Sequence, residues 1–218
     1  MGRGRRLSVL TLALLAASIS RAQTPAPAPP IPEGAAALLS KAVAMYNDGA
    51  AHASDFTQVY TPSGFATSKR ESGTVWIQTP EKLRFDYTAP EKKVFTYDSG
   101  EGRFFSPEEM QLTIRKLSAD EKARLPIVFL TKPEELARQY EIGLDAAKAV
   151  LLKPRAPASE LAWLKLSIAA TGSVDGLAYE DASGNRTEFR FEAWRTEKAR
   201  PRADYKITGP KGTRIVEN

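Results

Sequence analysis

In Leu83-Arg84-Phe85-Asp86-Tyr87, apolar and charged side chains alternate without a break. Alternate side chains of a strand point to opposite faces, so this pattern describes a strand with one face buried and one wet. The same period of two sets in near Ser54, with Phe56, Gln58 and Tyr60 on one face and Thr57 and Val59 on the other. Pro62-Ser63-Gly64 turns the chain into a long strand, Phe65 to Gln78, and Thr79-Pro80-Glu81 and Ala89-Pro90-Glu91 are the next two turns. Val94 to Tyr97, Arg103 to Phe105 and Met110 to Ile114 follow as short strands. Further on come Tyr140 to Leu144, Ala149 to Lys153, Leu161 to Ala169, Val174 to Glu180, Thr187 to Trp194 and Asp204 to Thr208, with a hairpin turn at Ser183-Gly184-Asn185. About a dozen strands at spacings of about 8–12 residues predict an antiparallel meander.

Two stretches break the period. Leu39, Val43 and Tyr46, with Leu38 and Ala42 beside them, make one helical stripe between Gly34 and Asn47, stopped by Gly49. In the middle, Ser118-Ala119-Asp120-Glu121 resembles a capping box, Pro126 leads the apolar run Ile127 to Leu130, and Pro133-Glu134-Glu135 suits a further helix start. Short helices are therefore expected to interrupt the sheet.

The first residues have a different character. Arg3, Arg5 and Arg6 precede an apolar run from Leu7 to Ala17, and Ser20-Arg21-Ala22 places small residues where a signal peptidase reads. Residues 1–22 read as a secretory signal, because the run of about 11 residues falls short of the ~20 that span a bilayer. Five prolines between Gln23 and Glu33 make residues 23–33 an extended linker. Of 31 basic side chains, four leave with the signal, and the remaining 27 nearly balance 26 acidic ones. That balance argues against nucleic acid as a partner. The chain has no cysteine, hence neither disulfides nor a site for lipid attachment, and the exported product is expected to be soluble.

Chemistry-bearing motifs are sparse. One histidine, His52, cannot build a zinc site, and its place beside the first strand reads as an exposed or cap-region residue rather than a member of a triad. No phosphate-cradling glycine loop occurs. The carboxylate pairs Glu108-Glu109 and Asp120-Glu121 sit at turns or helix starts, where acidic residues serve as caps. Asn185-Arg186-Thr187 matches a glycosylation sequon but lies in a turn that already favours asparagine. No cofactor, metal or catalytic residue is expected. The strands nevertheless carry more apolar surface than one helix covers, and it is either filled by side chains or left as a cavity.

Several segments resemble the outer-membrane lipoprotein carrier (LolA) family. They are Asp55-Phe56-Thr57-Gln58, Ser72-Gly73-Thr74-Val75-Trp76-Ile77, Thr79-Pro80 with Leu83-Arg84-Phe85, Leu125-Pro126 with Phe129-Leu130, Asp181 to Thr187, and Gly209 to Thr213. They occur in the family's order over about Ala35 to Val216. The resemblance implies a mainly β (α+β) fold for residues 34–218. It would be an unclosed antiparallel half-barrel of about eleven strands, with an N-terminal helix and short lid helices covering an apolar cavity. It also implies a periplasmic chaperone, monomeric and not an enzyme. Such a carrier would take acylated lipoproteins from an inner-membrane ABC transporter and hand them to an outer-membrane receptor.

Alternation then selects the residues expected to bind acyl chains: Val75 and Ile77, Leu83, Phe85 and Tyr87 from the next strand, and Phe56, Leu164, Leu166, Ile168, Phe189 and Phe191. Ile127, Phe129 and Leu130 are expected under the lid. Many family members carry an arginine before the proline of the second-strand turn, where it latches the lid. Thr79 holds that position here, with one hydroxyl donor against a guanidinium's five. Leu83 replaces the family's rim aromatic. Two other readings share the pattern: a periplasmic lipid-sensing regulator of the same fold, and a secreted structural β-domain with a filled interior. A hydrolase on a β-scaffold would need a titratable pair within a pocket.

Overall fold

A computed structural model describes residues 28–130, 133–156 and 159–217. The signal sequence expected at residues 1–22 lies outside them, as do residues 23–27 of the Pro-rich stretch. Of the rest of that stretch, Ala28 and Ile31 pack against the core. Helix α1 (Glu33–Tyr46) begins directly after Pro32. It buries Ala35, Leu39, Ala42 and Tyr46, a spacing of four, three and four that keeps one stripe inward. Val43, expected on that stripe, is only half-buried at its border.

Among the described residues, thirteen strands form one sheet. They are β1 (Ala51–Thr61), β2 (Lys69–Gln78), β3 (Lys82–Ala89), β4 (Lys93–Asp98), β5 (Glu101–Ser106), β6 (Gln111–Lys116), β7 (Tyr140–Leu144), β8 (Val150–Pro154), β9 (Leu161–Ile168), β10 (Val174–Asp181), β11 (Arg186–Phe191), β12 (Arg195–Glu197) and β13 (Arg214–Glu217). Their spatial order is β13-β6-β5-β4-β3-β2-β1-β11-β10-β9-β8-β7, with β12 also on β1. The end strands β13 and β7 are not paired with each other, so the sheet is unclosed. All pairings are antiparallel except β13 with β6.

The sheet is strongly curled. Phe85 on β3 and Phe189 on β11 stand three strand spacings apart, roughly 14 Å across a flat sheet. Their ring centroids are 5.7 Å apart, so the strands bend toward one another over the interior. Gly73 permits this packing at one point. A Cβ there would stand 2.0 Å from the Asp86 carbonyl oxygen, and the register shifts beside it.

Between β6 and β7 the chain forms α2 (Ala119–Ala123), a 3-10 turn (Pro126–Leu130) and α3 (Pro133–Gln139). Ser118 and Glu121 make the expected capping box: the Ser118 hydroxyl accepts from Glu121 N at 3.2 Å, and Glu121 Oε2 accepts from Ser118 N at 2.9 Å. These short helices cover the apolar face of the sheet.

Three expectations need correction. Thr187 to Trp194 is not one strand: it breaks after Phe191, and β12 resumes against Ala51 to Ala53. Asp204 to Thr208 is not a strand either. Arg202–Tyr205 is a 3-10 turn, and its neighbouring carbonyls are taken by guanidinium groups instead of a ladder. Arg84 donates to Asp204 O at 2.7 Å and Arg103 to Ile207 O at 3.0 Å, while Tyr205 is buried with its hydroxyl donating to Gln78. The alternation of Tyr205 and Ile207 imitates a strand in a segment strapped across the sheet's outer side. Finally, His52 is not exposed: it lies within β1 at 2% exposure, edge-on to the Tyr46 ring.

Candidate functional site: the lidded apolar face

The inward residues of the curled sheet form one continuous apolar surface. Phe56 meets Phe85 and Tyr87 edge to face, with ring centroids at 5.0 and 5.1 Å. Phe189 stacks on Phe191 at 6.0 Å, and Phe191 reaches Trp194 at 5.4 Å. An aromatic stripe thus runs along the interior from Tyr87 to Trp194. Val75, Ile77 and Leu83 flank it on one side, and Leu164 and Leu166 belong to the same core from the far strands. Every one of these is buried except Tyr87 and Trp194, which are partly so; Ile168 is also partly buried against this core. The eleven residues selected by alternation therefore share one face.

Ile127, Phe129 and Leu130 of the 3-10 turn are buried in that same core, so the lid contributes its own side chains to it. Alternation missed several neighbours on this face: Tyr97, Leu152 and Leu177 lie in strands whose period was visible, whereas Trp194 lies beyond the break after β11.

Among the described residues, polar contacts fasten the lid at its margins. Thr79 donates its hydroxyl at 2.7 Å to the Tyr46 carbonyl at the end of α1, not to the lid. The lid contact belongs to the adjacent Asn47, whose Nδ2 donates to Leu130 O at 3.0 Å. Asn47 caps α1 through its own N–H to Val43 O, so its side chain is held by the helix end. Thr79 steadies that helix end from the sheet side. At the other margin, Glu160 N donates to Asp120 at 2.7 Å and Arg124 pairs with Glu160 at 3.2 Å. Arg155 donates to the carbonyls of Ala137 and Tyr140, fixing the end of α3. The sequence could not single out Asn47, because asparagine at a helix end is common whatever it binds.

The stripe ends on polar groups at Tyr87. Its hydroxyl donates to Gln58 Oε1 at 2.7 Å, and burial, with Glu71 adding, pushes it well above a phenol's ordinary pKa. Glu71, 6% exposed, accepts from Lys93 at 2.7 Å and faces Lys69 at 3.2 Å. Burial would raise its carboxyl, but the two ammonium groups outweigh it and hold it below the usual range. Lys93 also lies over the Tyr87 ring at 4.4 Å.

The histidine, its neighbouring serine and the sequon asparagine each have partners of their own. His52 Nε2 meets Asp48 at 2.9 Å, while the Ser54 hydroxyl donates to the Asp55 and Glu192 carbonyls rather than to the imidazole. Asn185 of the sequon joins two hairpin tips, accepting from Ser63 N and donating to Asp181. Among the described residues, no group of three or more His, Asp or Glu side chains could hold a metal ion, and no helix is long and apolar enough to cross a membrane.

An unclosed antiparallel sheet curled around an apolar stripe and covered by a fastened lid defines a half-barrel built to enclose apolar surface. Residues 50–208 match the family model described as outer membrane lipoprotein carrier protein LolA, and the chain belongs to that family. A relative from Xanthomonas campestris pv. campestris, an outer-membrane lipoprotein carrier protein, is 29% identical over 175 residues, covering 74% of this chain and 79% of its own. One of the same description from Dechloromonas aromatica is 26% identical over 167 residues, with the same coverage. Among solved structures, an uncharacterized conserved protein from Thermus thermophilus matches 85% of this chain and all of its own with a TM-score of 0.52 at 12% identity, which is a likeness of fold.

Proposed function

We propose that this protein is a periplasmic carrier that receives the acyl chains of lipoproteins on its aromatic stripe, from an inner-membrane ABC transporter, and delivers them to an outer-membrane receptor. The observation that carries this reading is a large apolar face covered by short helices whose own apolar side chains share its core. Burying a CH₂ group is worth roughly 0.8 kcal/mol, so one long acyl chain resists water by on the order of 10 kcal/mol. A carrier must offset most of that and still let go, which favours apolar contact over covalent chemistry. Membership of the family and the carrier relatives support the same reading. In the described state the lid's apolar side chains are buried in the core. Loading then requires the lid to rise and the acyl chains to take the place of Ile127, Phe129 and Leu130 in that core.

The test is release of a labelled lipoprotein from spheroplasts that contain the cognate transporter. The purified protein is expected to yield a soluble complex, and Phe85→Glu, checked for folding by circular dichroism, is expected to yield none. If the unmodified protein releases nothing, the carrier reading falls.

A further inference from the structure

The inner face is not uniformly apolar: by register it carries the buried, hydrogen-bonded His52 and Ser54 beside Ile77 and Val75, and a carboxylate with two lysines at the opposite end. Following the strand registers inward residue by residue, β1 runs His52, Ser54, Phe56, Gln58, Tyr60 and β2 runs Ile77, Val75, Gly73, Glu71, Lys69. Lys93 stands opposite Tyr87 from β4, in the same pleat as Phe95 opposite Phe85. The ionic group Glu71–Lys93–Lys69 therefore belongs to the face that carries the stripe, and it lies just beyond Tyr87. The stripe's other end is closed off: buried Tyr46 and His52 pack edge to face there, Tyr46 also meets the Trp194 ring, and Trp194 donates to the Val174 carbonyl. Tyr60 and Lys93, by contrast, are only half-buried.

Desolvating an ion pair is costly, and apolar residues of similar volume are often as good or better for stability. A buried carboxylate between two ammonium groups at the half-exposed end of an apolar stripe is thus poorly explained by folding alone. It is well placed for a ligand that is apolar along its length and polar at its head. Each ammonium has three N–H donors, and Lys93 is seen using one on Glu71. The spare donors of the lysines suit a head rich in carbonyl acceptors, such as the ester and amide groups that join acyl chains to a peptide, and the Tyr87 hydroxyl, which donates to Gln58, borders that seat.

We propose that Glu71, Lys93, Lys69, Tyr87 and Gln58 form the seat for the acceptor-rich head of an acylated ligand, which fixes its polarity. The chains lie along the stripe with their ends toward Trp194 and α1. This rests on the carrier reading and adds the direction of the cargo.

The experiment uses two forms of a synthetic acylated lipopeptide, one with a diazirine at the acyl terminus and one with it beside the head. Each is bound to the full mature chain, irradiated and mapped by peptide mass spectrometry. The chain-end probe is expected to label residues 191–194 and α1, and the head probe residues 58–71 and 87–93. Lys93→Met and Glu71→Gln together are expected to weaken lipopeptide binding several-fold while leaving binding of an acyl chain with no polar head within twofold. Reversed labelling, or equal labelling of both ends by both probes, overturns the orientation and leaves the carrier reading standing. No binding of either probe by a protein with a native circular-dichroism spectrum sinks both.

Discussion

The sheet and the lid bury the same core but are held by different means. Each inner strand of the sheet is tied along its length on both sides, and its rings interlock across three strand spacings. The lid consists of helical pieces of five, five and seven residues, none long enough to persist without its neighbours. Among the described residues, Asn47, Glu160, Arg155 and the Arg115–Glu121 pair tie it down at its margins. The difference sets the order of opening: a disturbance that would leave the sheet intact should free the lid. A carrier needs this division, since a sheet that loosened with its lid would lose the surface it offers.

The comparison breaks first if the sheet tolerates what should wreck it. Gly73→Val places a branched side chain where even a Cβ meets the Asp86 carbonyl at 2.0 Å. The expected result is a failure to refold, or a melting temperature lowered by more than about 10 °C, checked by thermal denaturation. Phe85→Ala removes a ring that contacts Phe56, Tyr87 and Phe189 at once. It should cost about 3–5 kcal/mol in urea unfolding, because the curled sheet cannot collapse onto the space. An acyl-chain ligand should recover part of that loss by filling it.

How much of this was legible follows the same division. Alternation was enough to place Phe56, Val75, Phe85, Leu164 and Phe189 on one face, since period two is set by strand geometry alone. The helix stripe and the capping box at Ser118 were readable for the same local reason. What the sequence did not disclose depended on partners far along the chain. The 204–208 segment looks like a strand until Arg84 and Arg103 take its carbonyls. His52 looks exposed until Tyr46 folds back over it. The break after Phe191 is invisible until the Ser54 hydroxyl, far away in sequence, donates to the Glu192 carbonyl. At the site, Thr79 was the expected latch position, but the donor that reaches the lid is Asn47, and no local pattern marks it. Glu71 and Lys93 share a face only through the register of three strands, two of them joined at a shifted pair.

The lid's own fasteners give smaller effects. Asn47→Ala leaves the buried Leu130 carbonyl without its donor, a cost of about 1–3 kcal/mol. Because that contact bridges lid and helix, the change should appear as faster hydrogen exchange of amides in residues 127–130, roughly tenfold, with global stability changed much less. Thr79→Val acts one step further back, on the Tyr46 carbonyl, and should accelerate the same amides less. If Thr79→Val has the larger effect, the latch runs through the loop and not through Asn47.

The mildest test concerns the opposite margin. Arg124 and Glu160 pair at 3.2 Å, but Glu160 is 69% exposed, and such pairs contribute about 0–1 kcal/mol in water. Arg124 also approaches the Tyr179 ring at 5.8 Å, a distance at which cation–π attraction at an exposed site adds about 0.5–1 kcal/mol. Arg124→Gln should therefore raise lid exchange no more than a few-fold. High salt should narrow the gap between variant and parent, because it screens the Glu160 pair that only the parent has. Salt should leave the Asn47 contact, which joins two uncharged groups, essentially unaffected. A lid whose opening rate followed ionic strength as strongly in Asn47→Ala as in the parent would fit this scheme. One that lost its salt dependence in that variant would mean the two margins open as a single unit.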